Sequence, residues 1–514
     1  FLFLFAVVFA LVSNIRVATG PSHIRGLAVS NIITEIDVQT QQCRFFLAES
    51  SIPYGGLGLY TAIDIANGHE AQSMPDVCIY VADTPRRTQF DTHSWAKDVF
   101  LGTFEGNNPR AACEGFATLF NTMPNTVATS KLVLNQLQSN SGLNRYKDPG
   151  AGAITQYYGI DSVAIRDISA GSELTIDYGD WKYSKHKKYK PTKRDVGWLQ
   201  THGMCIDHIR IGKATDPSMG RGAFASRDLR KGSRVAPAPL QTYKNRVDFA
   251  AQEPEALFVN YCFQPKNTSL LLFPYGPGVN MINHNSENPN VALMWSTSHM
   301  HHDHWLNLPY DQFWESNYPG ALILDVVALR DIKAGEELYL DYGAAWEEAW
   351  NKHVESWKPP VEKGYSYPGD LNSSFKKYSQ AFRTIEEQKS HPNPSNLATA
   401  CWTPNWKRDA GPMKWYEPTI EWPEGMASCH ILERKEDSKE GFLYKVAVTF
   451  DSNISDFPTH LGEDQLNIDV NVPQRAIVWV DKPYTSDLHL KNAFRHPIGF
   501  PDHLVPKQWV QSVA

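Results

Sequence analysis

Two stretches of this chain are written almost alike. Residues 163–179 read VAIRDISAGSELTIDYG and residues 327–343 read VALRDIKAGEELYLDYG, identical at 12 of 17 positions and offset by 164 residues. Whatever folds around the phrase is therefore built twice. A second landmark has the same offset: GLGLYTAIDIANG (56–68) against GRGAFASRDLRKG (220–232), sharing Gly-x-Gly, an aromatic, an acidic-apolar pair and a closing Gly. Between them, FATLFNTMPNTVATS (116–130) is the weaker partner of GVNMINHNSENPNVALMWS (278–296); both place Pro-Asn after an Asn and before a β-branched stretch.

Short β-prone runs separated by Asn-Gly and Lys-Gly turns predict units that are mostly β with short helices, an α+β class. DVGWLQTHG (195–203) predicts a short helix ending at Gly203 and joining the copies. Trp346, Trp350, Val354 and Trp357 recur at helical spacing, predicting an amphipathic helix whose tryptophans seal the second copy. Beyond a Pro-Gly linker near 358, ASCHILERKEDSKEGFLYKVAVTFD (427–451) reads as strand, charged turn, strand, and RAIVWVDKP (475–483) as another strand.

At 514 residues the chain holds roughly three domains. Its formal charge of −7 argues against a general nucleic-acid binder, and the basic run KYSKHKKYKPTKR (182–194) reads as a solvated linker. The first residues, FLFLFAVVFALVSNIRVATG, predict a secretory signal cleaved after a small-x-small site, or a signal anchor, and hence a secretory-pathway protein, with the cytosol or nucleus as the alternative. No other membrane span is expected. Seven cysteines without CxxC spacing predict neither a zinc site nor a disulfide scaffold. HMHHDH (299–304) matches no closed metal site, so no metal is expected.

Gly-x-Gly, then Asn-His with Pro-Asn, then Glu-Leu-x-x-Asp-Tyr-Gly resembles, in that order, the SET domain of protein-lysine methyltransferases. The second copy carries all three motifs as GRG (220–222), NHNSENPN (283–290) and EELYLDYG (336–343), with Asn285 where the family has Ser. The first copy has GLG and ELTIDYG, but NTMPN (121–125) stands in the Asn-His place. The resemblance implies two tandem SET-type β-folds and a small β-rich C-terminal region. The expected division is a signal peptide at 1–20, a degenerate SET domain at 38–181, a linker and helix at 182–203, a SET domain with helical extension at 204–357, and the C-terminal region at 358–514.

By the same resemblance the cofactor is S-adenosyl-L-methionine and the partner is a protein substrate presenting a lysine side chain. A free lysine has a pKa near ~10.4, so under ~1% is nucleophilic at neutral pH. An apolar channel beside a sulfonium lowers that pKa, and in-line alignment supplies much of the rest. The resemblance assigns Arg221, Gly222, Ala223 and Phe224 to the cofactor's methionine part and Asn283 and His284 to its adenosine end. Tyr342 would border both cofactor and the transferring methyl, with Tyr178 as its catalytic counterpart in the first copy. The rival expectation is a catalytically inactive tandem SET-fold protein that binds peptide or protein partners.

Overall fold

The computed structural model describes residues 43–81, 94–96, 110–124, 126–134, 142–178, 191–246, 255–310, 312, 322–361, 364–375, 380–402, 426–449, 467–482 and 484–511. The expected signal segment and most of the lysine-rich run lie outside them. Among the described residues no helix is long and apolar enough to cross a membrane.

The first copy contributes β1 (Phe45–Glu49), β2 (Leu57–Thr61), β3 (Asp76–Val81), β4 (Trp95–Ala96), β5 (Arg110–Glu114), β6 (Asn121–Thr122), β7 (Ser130–Leu134), β8 (Tyr157–Ala164) and β9 (Glu173–Ile176). Helix α1 (Val196–His202) follows, capped by the Asp195 side chain at its start and ended at Gly203. The second copy contributes β10 (Met204–Cys205), β11 (Ile209–Lys213), β12 (Arg221–Ala225), β13 (Arg234–Tyr243), β14 (Phe263–Gln264), β15 (Leu271–Pro274), β16 (Asn283–His284), β17 (Val291–Trp295), β18 (Ile323–Ala328), β19 (Tyr339–Leu340) and helix α2 (Ala344–Ser356).

The duplication reaches the level of register. In the β1–β2 hairpin Phe45 faces Thr61, and in the β11–β12 hairpin Ile209 faces Ala225, each 164 residues on. The sheet order β4-β5-β3-β8-β7 of the first copy recurs as β14-β15-β13-β18-β17 in the second. A short parallel pair closes each copy: Asn121 opposite Thr175, and Asn283 opposite Tyr339. Short strands with apolar residues facing inward explain the sheets, and the turn glycines Gly68, Gly171, Gly232 and Gly335 all take positive φ.

The copies share one core. Ile79 and Ala112 of the first pack in the same apolar cluster as Leu240, Phe258, Phe273 and Val326 of the second, with Val478 and Trp509 from the C-terminal region. That region forms its own five-stranded sheet from β20 (Leu397–Trp402), β21 (Met426–Asp437), β22 (Gly441–Thr449), β23 (Asn467–Pro473) and β24 (Ile477–Asp481), in the order β23-β22-β21-β20-β24. The chain then returns: β25 (Ile498–Gly499) adds to the edge of β14 in parallel.

The expectation about cysteine needs correcting. Cys43–Cys205, Cys78–Cys113 and Cys401–Cys429 are disulfides, and Cys262 is a buried free thiol. Cys43 stands two residues before β1, the strand that pairs with β10, and the other partners sit across β3 and β5 and across β20 and β21; such neighbours cannot be read from spacing along the chain. Peptide mapping of the unreduced protein is expected to give these three links, with Cys262 alkylated only after unfolding. A Cys262-containing link would contradict the pairing.

Candidate functional site

The parallel pair β16–β19 brings the expected residues of the second copy together. Tyr342 donates its backbone N–H to His284 Nδ1 at 3.0 Å and its hydroxyl to the Ile282 carbonyl at 2.5 Å. The His284 ring lies 5.2 Å from that of Tyr342 and 4.9 Å from that of Trp346 in α2. Since Nδ1 accepts, the ring hydrogen falls on Nε2, which is buried with no hydrogen-bond partner among the described residues. Burial, reinforced by Tyr261 and Glu114, pushes the Tyr342 phenol far above its ordinary pKa. At any physiological pH it is a hydroxyl, not a phenolate.

A buried carboxylate ties the three motifs to one another. Glu337 accepts from Asn283 Nδ2 at 3.0 Å, from the Thr215 N–H at 2.7 Å and from the Tyr339 hydroxyl at 2.8 Å. Asn283 Nδ2 also donates to the Arg221 carbonyl at 2.9 Å. A Cβ on Gly222 would collide with Glu337 Oε1, which is why the second glycine of Gly-x-Gly must be glycine. Asn290, the last residue of NHNSENPN, is buried and bridges the chain: Nδ2 donates to the Glu337 carbonyl (2.8 Å) and Oδ1 accepts from the Tyr339 N–H (2.7 Å). Asn285, standing in the place of Ser, accepts the N–H groups of Glu287 and Asn288 and so caps the inserted turn.

The remaining expected residues lie on β12. Ala223 is buried and accepts the Leu338 N–H at 2.8 Å, Phe224 lies under the Arg210 guanidinium, and Arg221 is buried with its guanidinium donating to the Thr155 carbonyl of the first copy. Helix α2 seals less than its tryptophan pattern predicts, for none of its residues is buried. Trp346 and Trp350 rest against Phe494 of the C-terminal tail, while Val354 is exposed.

The first copy repeats the polar frame almost atom for atom. Asn121 Nδ2 donates to the Leu57 carbonyl and to Glu173 Oε1, and Tyr178 donates its hydroxyl to the Phe120 carbonyl. Two substitutions stand out. Thr122 Oγ1 accepts the Tyr178 N–H in place of the histidine nitrogen, and Thr129 fills the bridging role of Asn290. Glu173 is further covered by Ser50, Ser51 and Tyr60, so its carboxylate is fully occupied. Tyr178 and Tyr342 thus stand in separate sites.

Sequence alone assigns no role to three buried acids, Glu337, Glu173 and Glu114, although the first two are the Glu of Glu-Leu-x-x-Asp-Tyr-Gly in the two copies. The first two were detectable, since they occupy one of the positions at which the duplicated phrases agree.

Residues 220–343 match the SET domain family model. The match falls on the second copy and contains every motif residue described there. No curated protein matches the chain. Among solved structures, a Plasmodium falciparum protein provisionally assigned as a histone methyltransferase aligns at 20% identity over 27% of this chain and 96% of its own, with a TM-score of 0.19. A chain of an active polycomb repressive complex 2 in the basal state aligns at 20% identity over 32% of this chain and 18% of its own, TM-score 0.21. A humanized mutant of the Chaetomium thermophilum complex bound to an inhibitor gives 20% identity, 26% and 15%, TM-score 0.19.

The residues around His284 suit S-adenosylmethionine: a buried ring N–H without a partner, a strand whose glycine lets backbone approach closely, and a fixed phenol hydroxyl. Gly222→Ala is expected to lower stability by about 1–3 kcal/mol, by overpacking against a carboxylate that cannot retreat. Thermal unfolding would show it, and an unchanged midpoint would contradict the packing.

Proposed function

We propose that the second copy is an S-adenosylmethionine-dependent SET-type methyltransferase acting on a lysine amine of a protein substrate. The observation that carries the reading is that, within the segment that matches the SET family model, Gly222 and Asn283 meet at Glu337 while the neighbouring His284 accepts the Tyr342 N–H. The cofactor supplies an electrophilic methyl on a sulfonium. The backbone of Arg221–Phe224 would border the methionine part, and the His284 Nε2–H would donate to the adenosine end. Tyr342, its hydroxyl hydrogen committed to the Ile282 carbonyl, keeps oxygen lone pairs that can accept an N–H from the incoming amine and turn the nitrogen lone pair toward the methyl. The half-buried aromatic surroundings disfavour an ammonium and help the amine lose its proton before transfer.

The first copy is read as a degenerate SET-type repeat that braces the second. Its Glu173 has no acceptor capacity left over, and Thr122 offers no ring where His284 presents an orphan donor. Three disulfides favour a compartment in which thiols oxidise, which agrees with the secretory signal expected at the N-terminus.

The test is calorimetric titration of S-adenosylmethionine into the full chain, followed by methyl transfer to lysine-containing proteins. One site is expected, lost in Asn283→Ala. Tyr342→Phe is expected to bind cofactor and transfer about 10²-fold more slowly or worse. Absence of binding by the unaltered chain would overturn the proposal, and two sites would overturn the bracing role of the first copy.

A further inference from the structure

The 3-10 turn Val279–Met281 leads straight into Ile282, Asn283 and His284, so whatever fixes that turn fixes the site. In the first copy the matching turn, Ala117–Leu119, is held from within. Buried Asp76 of β3 accepts the Ala117 N–H at 3.0 Å, the Thr118 N–H at 2.8 Å and the Thr118 hydroxyl at 2.9 Å. The second copy cannot do this. Its matching stretch of β13, residues 236–239, reads Ala-Pro-Ala-Pro and has no acid.

The acid comes from the neighbour instead. Glu114, at the end of β5 in the first copy, is 1% exposed, and its Oε2 accepts the Asn280 N–H at 2.8 Å. Its other oxygen, Oε1, is buried with no hydrogen-bond partner among the described residues. Burial raises its pKa well above the usual carboxylate range. The Asn280 and Val279 backbone N–H groups and the Arg221 charge oppose that rise, so what compensates the buried acid is the turn itself and the strand leading to Gly222. Around it the copies interlock. The Tyr261 hydroxyl accepts the Thr155 N–H at 2.7 Å, Asn260 donates to the Ala153 carbonyl at 3.1 Å, and the Arg221 guanidinium meets the Thr155 carbonyl.

We infer that Glu114 of the first copy is a positioning residue for the second copy's site, holding the turn that presents Asn283 and His284. The inference rests on the reading of the second copy as cofactor-binding. It makes the first copy a working part of the second copy's site.

Hydrogen exchange of residues 279–284 and calorimetric S-adenosylmethionine binding, both on the full chain, test it. In Glu114→Ala, exchange in that segment is expected to rise at least about tenfold and cofactor affinity to fall about tenfold, the loss of one buried hydrogen bond. The unfolding midpoint should fall by only a few degrees, as for the loss of one buried hydrogen bond. Glu114→Gln keeps an acceptor oxygen and should restore both readouts to within about threefold. Unchanged exchange, unchanged affinity, a glutamine variant no better than alanine, or an alanine variant that fails to fold would each overturn the inference. If the unaltered chain binds no cofactor, the proposed function falls, while the exchange measurement still decides whether Glu114 anchors the turn.

Discussion

A carboxylate taken out of water must be repaid in hydrogen bonds, and Glu337 takes three from three separate segments. The amide of Asn283, the backbone of Thr215 and the phenol of Tyr339 are brought to one point because nothing else would satisfy the acid there. The closeness of Gly222 follows from it, since no side chain fits between strand β12 and the carboxylate. Tyr342, two residues beyond the end of β19, the strand that carries Tyr339, is held by His284 and the Ile282 carbonyl. The geometry that would orient cofactor and amine is the by-product of burying one negative charge.

The first copy shows what the same frame becomes without the ring. Glu173, Asn121 and Tyr178 keep their mutual bonds, but a threonine hydroxyl is spent on the bond that His284 makes with one nitrogen while leaving the other free. Within the polar frame, the exchange of His284 for Thr122 removes a ring nitrogen that has no partner among the described residues. The shared core and the Cys43–Cys205 link, from just before β1 to β10, tie the two copies together. The C-terminal tail belongs to it as well: Gly499 donates its N–H to the Tyr342 carbonyl at 2.9 Å, and Trp509 is buried edge-on against Trp295.

The sequence was most readable where local pattern and repetition coincide. The hairpin landmarks, α1 ending at Gly203, and the β21–β22 strand pair all lie within short segments whose turns and periodicity are visible residue by residue. The gathering of Asn283, His284 and Tyr342 was expected only through family resemblance, because no local signal pairs β16 with β19. What stayed hidden is nonlocal. Disulfide partners depend on which strands lie side by side, Glu114 acts on a turn 166 positions away, and the tail's return to β14 leaves no periodic trace in its proline-rich sequence.

The central claim is that the Glu337 network of the second copy builds the cofactor site. Ultraviolet cross-linking of methyl-labelled S-adenosylmethionine to the full chain, with the labelled peptides sequenced, tests it most directly. Label confined to peptides containing residues 221–224, 283–284 or 342–346 is the predicted result. Label on the Asn121–Thr122 or Tyr178 peptides of the first copy, or on the C-terminal sheet alone, would contradict it.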